Sequence, residues 1–408
     1  MRPVASVEHI RSMFPALRRR HAGVPVAYFD GPGGTQVPQA VADAMMEYLL
    51  QHNANTHWAY PSSEETDALL AGARATFAQF VGAIPDEIVF GNNMTTIAFH
   101  VARALGHGWN AGDEVIVTEL DHHANIAPWQ ALARERGIVL KWLPLDLETY
   151  QLRLDRLPEL LSPRTKLLAI GAASNILGTV NDVAAAARLA HAAGALVFVD
   201  GVHYAPHYLP DVAALECDFF ACSPYKFFGP HTGVLWGRRE LLDRLDVPRL
   251  DPAPSAAPER IETGTQNHEG IIGAAAAVEW LSELSVGDED VRNCLANTYR
   301  EIHSREAALF ARLWDGLGSI GGVTRFGPGP ATNRTATVSF IVRGIDSERV
   351  ARGLVDDACF VSSGDFYAAT VARLLGHEVD GVVRIGAAPY TTASEIDRVL
   401  AGVERLAR

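Results

Sequence analysis

The chain has 408 residues, of which 48% are hydrophobic, so it is long enough for two domains or for one large domain with an appendage. Its formal net charge of −13 argues against nucleic acid or an anionic membrane as a partner, because both favour a basic protein face. The 4 cysteines lack the paired spacing of a metal site, and no stretch is long and apolar enough to span a bilayer. These features predict a cytoplasmic protein without a bound metal.

Apolar runs alternate with amphipathic segments through the first part of the chain. This alternation predicts an α/β fold, in which helices wrap a mostly parallel sheet. The predicted strands are Glu87–Phe90, Glu114–Thr118, Val139–Leu143, Lys166–Gly171, Ala195–Asp200, Cys217–Cys222 and Gly233–Trp236, and the predicted helices include Thr95–Leu105, Ile126–Arg136 and Asp182–Ala193.

The pattern changes at the Pro- and Ala-rich stretch Asp246–Pro258, which predicts a connecting loop. Two long helices follow, and the remaining strands and helices predict a smaller α+β unit. We therefore expect a large domain over residues 20–260 and a smaller domain formed by 1–19 and 261–408. The elements predicted after the loop are helices Gly270–Leu284, Val291–Leu317, Ser347–Asp356 and Ala393–Ala407, and strands Ala336–Val342, Cys359–Ser362 and Val382–Gly386.

An aspartate and a lysine follow two successive predicted strands. Asp200 ends one apolar run, and Lys226 lies in the turn after the next. Ligands of open α/β sheets bind at the carboxyl ends of the strands, so both side chains are expected in one site. A pyridoxal phosphate enzyme needs a lysine for the cofactor aldehyde and a carboxylate for the pyridine nitrogen. The pair therefore favours such a site over the alternatives, a helix-capping aspartate and a solvated lysine.

Two further segments fit this cofactor. The stretch Gly91–Thr96 follows a strand and opens a helix, whose free amides suit a phosphate, with Thr95 adding a hydroxyl. Within Asp121–Asn125, His123 is predicted to stack on a pyridine ring. A metal site at His122 and His123 is discounted, because neighbouring side chains point apart and no third ligand has a familiar spacing.

Together these motifs resemble one protein family, in order and over nearly the whole chain. The family is the class V aminotransferase superfamily, in particular its cysteine desulfurase and selenocysteine lyase branch. The resemblance implies a fold-type I pyridoxal phosphate enzyme with a mostly parallel seven-stranded sheet, and a homodimer with active sites at the subunit interface. The motifs are Asn92–Thr95, His122–Ile126 with Pro128 and Trp129, Ser174 and Asn175 with Gly178, Asp200–His203, Ser223–Lys226, and Gly264 with Thr265.

The resemblance also implies roles for individual residues. Lys226 would form the Schiff base, Asp200 would hold the protonated pyridine nitrogen and His123 would stack on the ring. His203 would face the phenolic oxygen of the cofactor, where the desulfurases usually have glutamine. The other implied cofactor contacts are Met94, Thr95, Asn175, Ser223, Tyr225 and the partner subunit's Thr265.

The substrate side of the site is implied in the same way. Arg384, with Asn175, would grip the substrate carboxylate, for which the planar fork of arginine is suited. Two other interpretations stay open, since Asn175 fits a turn and Arg384 fits a structural ion pair. The stretch Asp30–Thr35 resembles the family's N-terminal substrate loop, in which Gly33 allows close backbone approach.

The chain departs from the family where desulfurases carry a nucleophilic cysteine in a loop of the smaller domain. Tyr367 stands at that position, and a phenol cannot accept sulfur as a thiolate does. The nearby Cys359 lies on a predicted strand. Trp58 stands where relatives often have arginine. The aromatic residues Trp58, Tyr60, Phe366 and Tyr367 are candidates either for the wall of a larger substrate pocket or for interface packing.

These features predict an enzyme that acts on an amino acid through an external aldimine and a Cα carbanion. Different fates of that carbanion would make it a lyase, an aminotransferase or an epimerase, and a decarboxylating deaminase is a further alternative. A carbon–sulfur lyase acting at Cβ of a cysteine-like substrate is favoured, because the missing thiol removes only the capture of sulfur. A non-catalytic scaffold of the same fold is the alternative from another class.

Overall fold

A seven-stranded sheet forms the centre of the structure. The computed structural model describes residues 3–285, 287 and 290–408. Each strand of this sheet begins and ends within two residues of a predicted strand. The strands are β1 (Ile88–Gly91), β2 (Glu114–Thr118), β3 (Val139–Leu143), β4 (Thr165–Gly171), β5 (Leu196–Asp200), β6 (Phe219–Cys222) and β7 (Gly233–Gly237).

The strand order is β1-β7-β6-β5-β4-β2-β3, and all neighbours are parallel except β7, which is antiparallel to β1 and β6. Alternate residues of β5 enter two separate core clusters, Val197 and Val199 on one side and Phe198 on the other. A strand buried on both faces has a continuous apolar sequence, which is why the sequence predicts it well. Asp200 pairs with Gly171 of β4 and with Ala221 of β6, so these three strands end at one edge.

Helices cover the sheet, and several of them begin at a capping side chain. Asn93 Oδ1 accepts a hydrogen bond from the Thr96 amide at 2.9 Å, and Asp182 Oδ1 accepts one from the Ala185 amide at 2.9 Å. Asp182, the first residue of a predicted helix, is therefore the N-cap of that helix. The α-helices are Val7–Ser12, Gln39–Glu47, Pro61–Val81, Met94–Gly106, Ala127–Arg136, Leu157–Leu160, Val183–Ala192, Arg239–Leu242, His268–Glu283, Val291–Ser319, Ser347–Val355, Ala369–Leu374 and Ala393–Ala407.

A second, four-stranded sheet follows the long helices. Its strands are β8 (Val323–Phe326), β9 (Thr337–Val342), β10 (Ser362–Gly364) and β11 (Val382–Gly386), in the antiparallel order β8-β9-β11-β10. Strand β8 was not predicted. This antiparallel sheet with its helices is the expected smaller α+β unit.

The predicted strand Cys359–Ser362 is wrong as a single element. Cys359–Phe360 pairs in parallel with Ala27–Tyr28, and pairing with β11 begins only at Ser362. The chain changes partner between these two pairings, and a local apolar pattern does not reveal which strand a residue will pair with.

The predicted domain boundaries, 20–260 against 1–19 and 261–408, stay a prediction. Positions 1, 2, 286, 288 and 289 of the second set lie outside the described residues. Among the residues that are described, no helix combines the length and apolarity needed to cross a membrane.

Candidate active site

A cavity of about 590 Å³ lies at the carboxyl ends of β4, β5 and β6, and we call it the inner cavity. Asp200 is the last residue of β5, and Lys226 ends the short turn Pro224–Lys226 that follows β6. The structure therefore brings these two residues together, as predicted from the topology of open α/β sheets. Of the other predicted residues, the inner cavity is lined by Met94, Thr95, Asn175, His203, Ser223 and Tyr225.

Lys226 is buried, with only 6% of its surface exposed. Its Nζ donates a hydrogen bond to the backbone carbonyl of Pro32. Burial lowers the pKa of Lys226 to about 7, and the charge of Arg384 acts in the same direction, against the attraction of Asp200 and Asp30. A large fraction of the amine is therefore neutral near pH 7, and the neutral form is the nucleophile.

Asp200 is the carboxylate of the inner cavity. Its Oδ1 accepts a hydrogen bond from the Val202 amide at 2.9 Å. Burial raises the pKa of Asp200 to about 6, while that hydrogen bond and the charge of Lys226 lower it. A positively charged ligand group would compensate for the burial and favour the ionised form.

Asp121 also lines this cavity, although it was not predicted as a site residue. Its two oxygens accept hydrogen bonds from the Gly171 amide at 2.8 Å and from Asn125 Nδ2 at 2.7 Å. Burial raises the pKa of Asp121 to about 7. The carboxyl group thus fixes the segment after β2 against the end of β4. Its place after a strand of the same sheet edge is the signal that could have identified it.

The start of helix Met94–Gly106 forms one end of the inner cavity. The Met94 amide donates a hydrogen bond to Ser223 Oγ at 3.1 Å, which ties this helix start to the turn that carries Lys226. Thr95 lies in the exposed first turn. Free amides and a hydroxyl at a helix N-terminus suit a phosphate group.

The structure places His122, rather than His123, beside Lys226 and Asp200. His122 lines the inner cavity, whereas His123 lines only an adjoining cavity, which contains Arg384 and Tyr367. Burial, assisted by the charge of Lys226, lowers the pKa of His122 to about 4, so its ring is neutral at physiological pH. The geometry thus favours His122 for the stacking role assigned to His123, because two consecutive residues face different directions and the sequence did not show which one faces inward.

His203 is held by the second sheet. Its Nε2 lies 3.1 Å from the hydroxyl oxygens of both Thr335 and Thr337. Behind it lies a buried hydrogen bond that the sequence did not predict, in which His207 Nδ1 is 2.7 Å from Glu306 Oε2. The rings of His203 and His207 meet edge to face at 5.2 Å. Because these partners come from distant segments, only the fold could reveal them.

A second cavity of about 450 Å³ adjoins the first, and we call it the outer cavity. It shares Lys226 and Asn175 with the inner cavity and adds Arg384, Phe366 and Tyr367. Arg384 is only 3% exposed, and its Nη2 lies 2.9 Å from Asp30 Oδ1. Arg384 therefore forms an ion pair and also lines a cavity. The structural ion pair and the predicted contact with a substrate carboxylate are thus compatible.

Gly33 lies next to this ion pair. A Cβ atom built on Gly33 would lie 2.5 Å from Asp30 Oδ2, closer than two such atoms can approach. Gly33 also lines the outer cavity. The predicted need for glycine in this loop thus has a steric basis, because a side chain here would displace the carboxylate that orients Arg384.

Three predicted residues, Trp58, Tyr60 and Thr265, lie outside both cavities. Trp58 is 61% exposed. Thr265 lines a separate cavity together with Thr263 and Gln266. A single chain therefore does not bring Trp58 or Thr265 to Lys226, and their predicted roles depend on a second subunit.

The inner cavity fits pyridoxal phosphate. It combines a buried amine, a buried carboxylate and a helix N-terminus beside Ser223. Within the described part of the chain, two buried polar atoms of its lining, Asn175 Oδ1 and His203 Nδ1, have no hydrogen-bond partner. Buried polar atoms are nearly always paired, so these two are free to bind a ligand. No group of three or more His, Cys, Asp or Glu side chains among the described residues forms a metal site.

The chain is similar to known proteins over nearly its whole length. The sequence profile of the Aminotransferase class-V family matches residues 27–399. A cysteine desulfurase of Klebsiella pneumoniae (strain 342) is 34% identical, and the match covers 98% of each chain. A cysteine desulfurase of Synechococcus elongatus is also 34% identical over 98% of this chain, which spans 63% of that longer relative. The apo structure of a cysteine desulfurase from Thermococcus onnurineus NA1 superposes with a TM-score of 0.90 and 29% identity, covering 100% of this chain and 99% of that one.

Proposed function

The chain belongs to the class V aminotransferase family and is a pyridoxal phosphate enzyme, and on this premise we propose that it is a carbon–sulfur lyase acting at Cβ of a cysteine-like amino acid. The family, the fold class and the cofactor predicted from the sequence are confirmed. The alternative of a non-catalytic scaffold is thereby dropped.

One observation carries the proposal: Tyr367, which is predicted to stand at the position of the desulfurase cysteine, lines the outer cavity. The 4 cysteines of the chain are all buried, and none of them lines either cavity. Burial raises the pKa of the Cys217, Cys222 and Cys359 thiols. A thiol that stores sulfur must be accessible and readily ionised, so these three are unsuited to that step.

The residues of the inner cavity are proposed to hold the cofactor. Lys226 binds its aldehyde, Asp200 binds the ring nitrogen, and His122 covers the ring. Ser223, Thr95 and the amides of the helix start bind the phosphate. His203 Nδ1, which has no partner within the described chain, faces the remaining polar group of the ring. When bound, pyridoxal phosphate supplies an electron-withdrawing ring that stabilises negative charge at the substrate Cα.

The chain's own residues are proposed to bind and orient the substrate and to move one proton. Arg384 and Asn175 bind its carboxylate in the outer cavity. Lys226 then takes the proton from Cα, a role that suits an amine whose burial lowers its pKa to about 7. The thiolate leaves from Cβ, and water completes the reaction: an S-substituted cysteine plus water gives a thiol, pyruvate and ammonium.

We also propose a homodimer, in which the partner subunit's Thr265 completes the phosphate site. The support is that Thr265 lies outside the inner cavity of its own chain, in a cavity shared with Thr263 and Gln266. Trp58, which is exposed in the single chain, would approach a substrate across the same interface. The cytoplasmic location stays a prediction.

The test is a product analysis of the purified holoenzyme with L-cysteine and a panel of S-substituted L-cysteines. We expect thiol, pyruvate and ammonium in equal amounts, and none of them from Lys226→Ala. Alanine with enzyme-bound persulfide would instead establish a desulfurase. Accumulated pyridoxamine phosphate would indicate transamination, and a racemised substrate would indicate epimerisation. Each of these three outcomes would overturn the lyase proposal.

A further inference from the structure

The loop that carries Phe366 and Tyr367 is tied to the active site through its backbone. The His123 amide donates a hydrogen bond to the Tyr367 carbonyl at 2.7 Å. Asn175 Nδ2 donates one to the Phe366 carbonyl at 3.0 Å. Asp365 closes the turn from within, because its Oδ1 accepts a hydrogen bond from the Tyr367 amide at 3.0 Å. The loop is therefore joined to two segments of the large sheet's edge.

The backbone of this loop adopts an unfavourable conformation that contacts with neighbouring segments must stabilise. Phe366 has a φ of 53° and Tyr367 a φ of 55°, the left-handed region that bulky residues rarely enter. Two such residues in succession persist only where their contacts determine them, and such sites are often functional. The hydrogen bonds to Asn175 and His123 supply those contacts.

The two aromatic rings cover the residues that would handle the substrate. The centroid of the Phe366 ring lies 3.9 Å from the Arg384 guanidinium carbon, so that one face of the guanidinium is covered. The Tyr367 ring lies 5.5 Å from the His122 ring. Tyr367 is 73% exposed and thus forms the rim of the outer cavity, while Phe366 lies deeper.

Among the described residues, the lining of the outer cavity has no carboxylate, and no lysine or arginine that lacks another role, to pair with a charged side chain of a substrate. The cations of this lining are Lys226, which binds the cofactor, and Arg384, which already pairs with Asp30 and would bind the substrate carboxylate. His122 is neutral, because its pKa is about 4. The rest of the lining is a second histidine, His123, two uncharged polar residues, Thr95 and Asn175, and small or aromatic residues, namely Pro32, Gly33, Ala124, Ala127, Tyr225, Phe366 and Tyr367.

We propose that Phe366 and Tyr367 form a fixed aromatic wall that makes this enzyme select amino acids with a large, uncharged, apolar side chain. This inference rests on the proposed function, because an apolar S-substituent is meaningful only for a lyase that acts on S-substituted cysteines. A buried charge without a partner is strongly disfavoured, so lysine-like and glutamate-like side chains are rejected. The loop that delivers sulfur in the resembling enzymes is thereby a specificity element in this one.

The test uses amino acids without a leaving group at Cβ, so that binding is measured apart from the reaction. Binding to the holoenzyme is read from the visible spectrum of the cofactor. L-norleucine and L-lysine differ chiefly in a terminal charge, and L-homophenylalanine and L-alanine differ in size. We expect norleucine to bind at least about tenfold more tightly than lysine, and homophenylalanine more tightly than alanine by a similar factor.

The variants distinguish the loss of the aromatic wall from a general loss of structure. Tyr367→Ala should reduce the preference for homophenylalanine over alanine at least about threefold, and Tyr367→Phe should preserve it, because the ring supplies the contact. Val379→Ala, at a residue that is 89% exposed, is the matched control and should change nothing. Tyr367→Lys should improve the binding of L-glutamate, because it adds a cation at the rim.

The outcomes distinguish this inference from the lyase proposal. Equal binding of norleucine and lysine, or an unchanged preference in Tyr367→Ala, overturns the aromatic wall whatever the product analysis gives. The expected selectivity without release of a thiol from any S-substituted cysteine supports the wall and overturns only the lyase. If no amino acid changes the spectrum, both proposals fail.

Discussion

Arg384 is held in place by Asp30: its Nη2 lies 2.9 Å from the Asp30 carboxylate, while its Nη1 donates a hydrogen bond to the Asn175 carbonyl at 3.1 Å. Its Nε has no hydrogen-bond partner within the described residues. The guanidinium is thus oriented before any substrate arrives, and such preorganisation lowers the entropy lost on binding.

The first prediction follows from this orientation. Arg384→Lys keeps the positive charge but loses the planar fork, so we expect the dissociation constant of an amino acid substrate to rise about 10- to 100-fold, the range that hydrogen bonds to charged groups provide. Spectral titration of the holoenzyme measures it. Arg373→Lys, at an exposed residue, is the control and should bind as the unchanged enzyme does. An unchanged affinity in Arg384→Lys would exclude Arg384 from carboxylate binding.

The second prediction concerns the pH at which the apoenzyme captures its cofactor. Only the neutral amine of Lys226 attacks an aldehyde, and the pKa of this lysine lies at about 7 instead of 10.5. The rate of capture, followed by stopped-flow absorbance, should therefore rise through about pH 7 and then level off. Arg384→Met removes a charge that lowers this pKa, so its profile should move to higher pH. A rate in the unchanged enzyme that keeps rising to pH 10 would contradict the lowered pKa.

The third prediction separates the two neighbouring histidines. His122→Ala should weaken cofactor affinity about 3- to 10-fold, as expected for the loss of one aromatic stacking contact. His123→Ala should leave the affinity within about twofold, since its side chain lies outside the inner cavity. Titration of each apoenzyme with pyridoxal phosphate gives the comparison. The reverse order would restore His123 to the stacking role.

The fourth prediction tests the shared site of the proposed homodimer. Lys226→Ala should be inactive, and Thr265→Asp should bind cofactor poorly, because a carboxylate repels phosphate. In a dimer of the two variants, the Lys226→Ala chain still carries Thr265 and the Thr265→Asp chain still carries Lys226. If Thr265 acts across the interface, these two residues form one intact site, whereas the other site lacks both. Co-refolded or co-expressed variants should then regain about one quarter of the normal activity, from statistical mixing of the chains. No recovery would place Thr265 in its own chain's site, and normal activity of Thr265→Asp alone would place it outside any site.

The fifth prediction concerns Gly381, which lies against Gly364 just before the loop that carries Phe366 and Tyr367. Gly381 has a φ of 61°, and a Cβ there would lie 2.5 Å from the backbone of Gly364. Gly381→Ala should therefore lower the free energy of unfolding by about 3 kcal/mol, because the steric contact adds to the backbone strain of alanine at a positive φ. Gly376→Ala is a matched control, with a φ of 77° and open space around the added atom, and should lower it by about 1 to 2 kcal/mol. Urea unfolding measures both, and equal effects would rule out the steric contact.

Local sequence patterns were sufficient for much of the fold. The central strands were predicted closely because strands buried on both faces form continuous apolar runs. Asp200 and Lys226 were found because both follow such runs at the carboxyl edge of the sheet. By contrast, β8 and the break between Phe360 and Ser362 depend on pairing partners that lie far away in the chain, and no local pattern encodes those partners.

By itself the sequence determined the fold class and the cofactor, and it predicted Lys226 and Asp200 as the residues that would bind the cofactor's aldehyde and ring nitrogen. The prediction of these two residues follows from order along the chain, since residues that follow neighbouring parallel strands lie at the same sheet edge. Only the tertiary structure decided that His122 faces inward, that Asp30 orients Arg384 and that Phe366 covers it. The physical reason is that each of these depends on the direction of a side chain or on a contact between segments hundreds of residues apart.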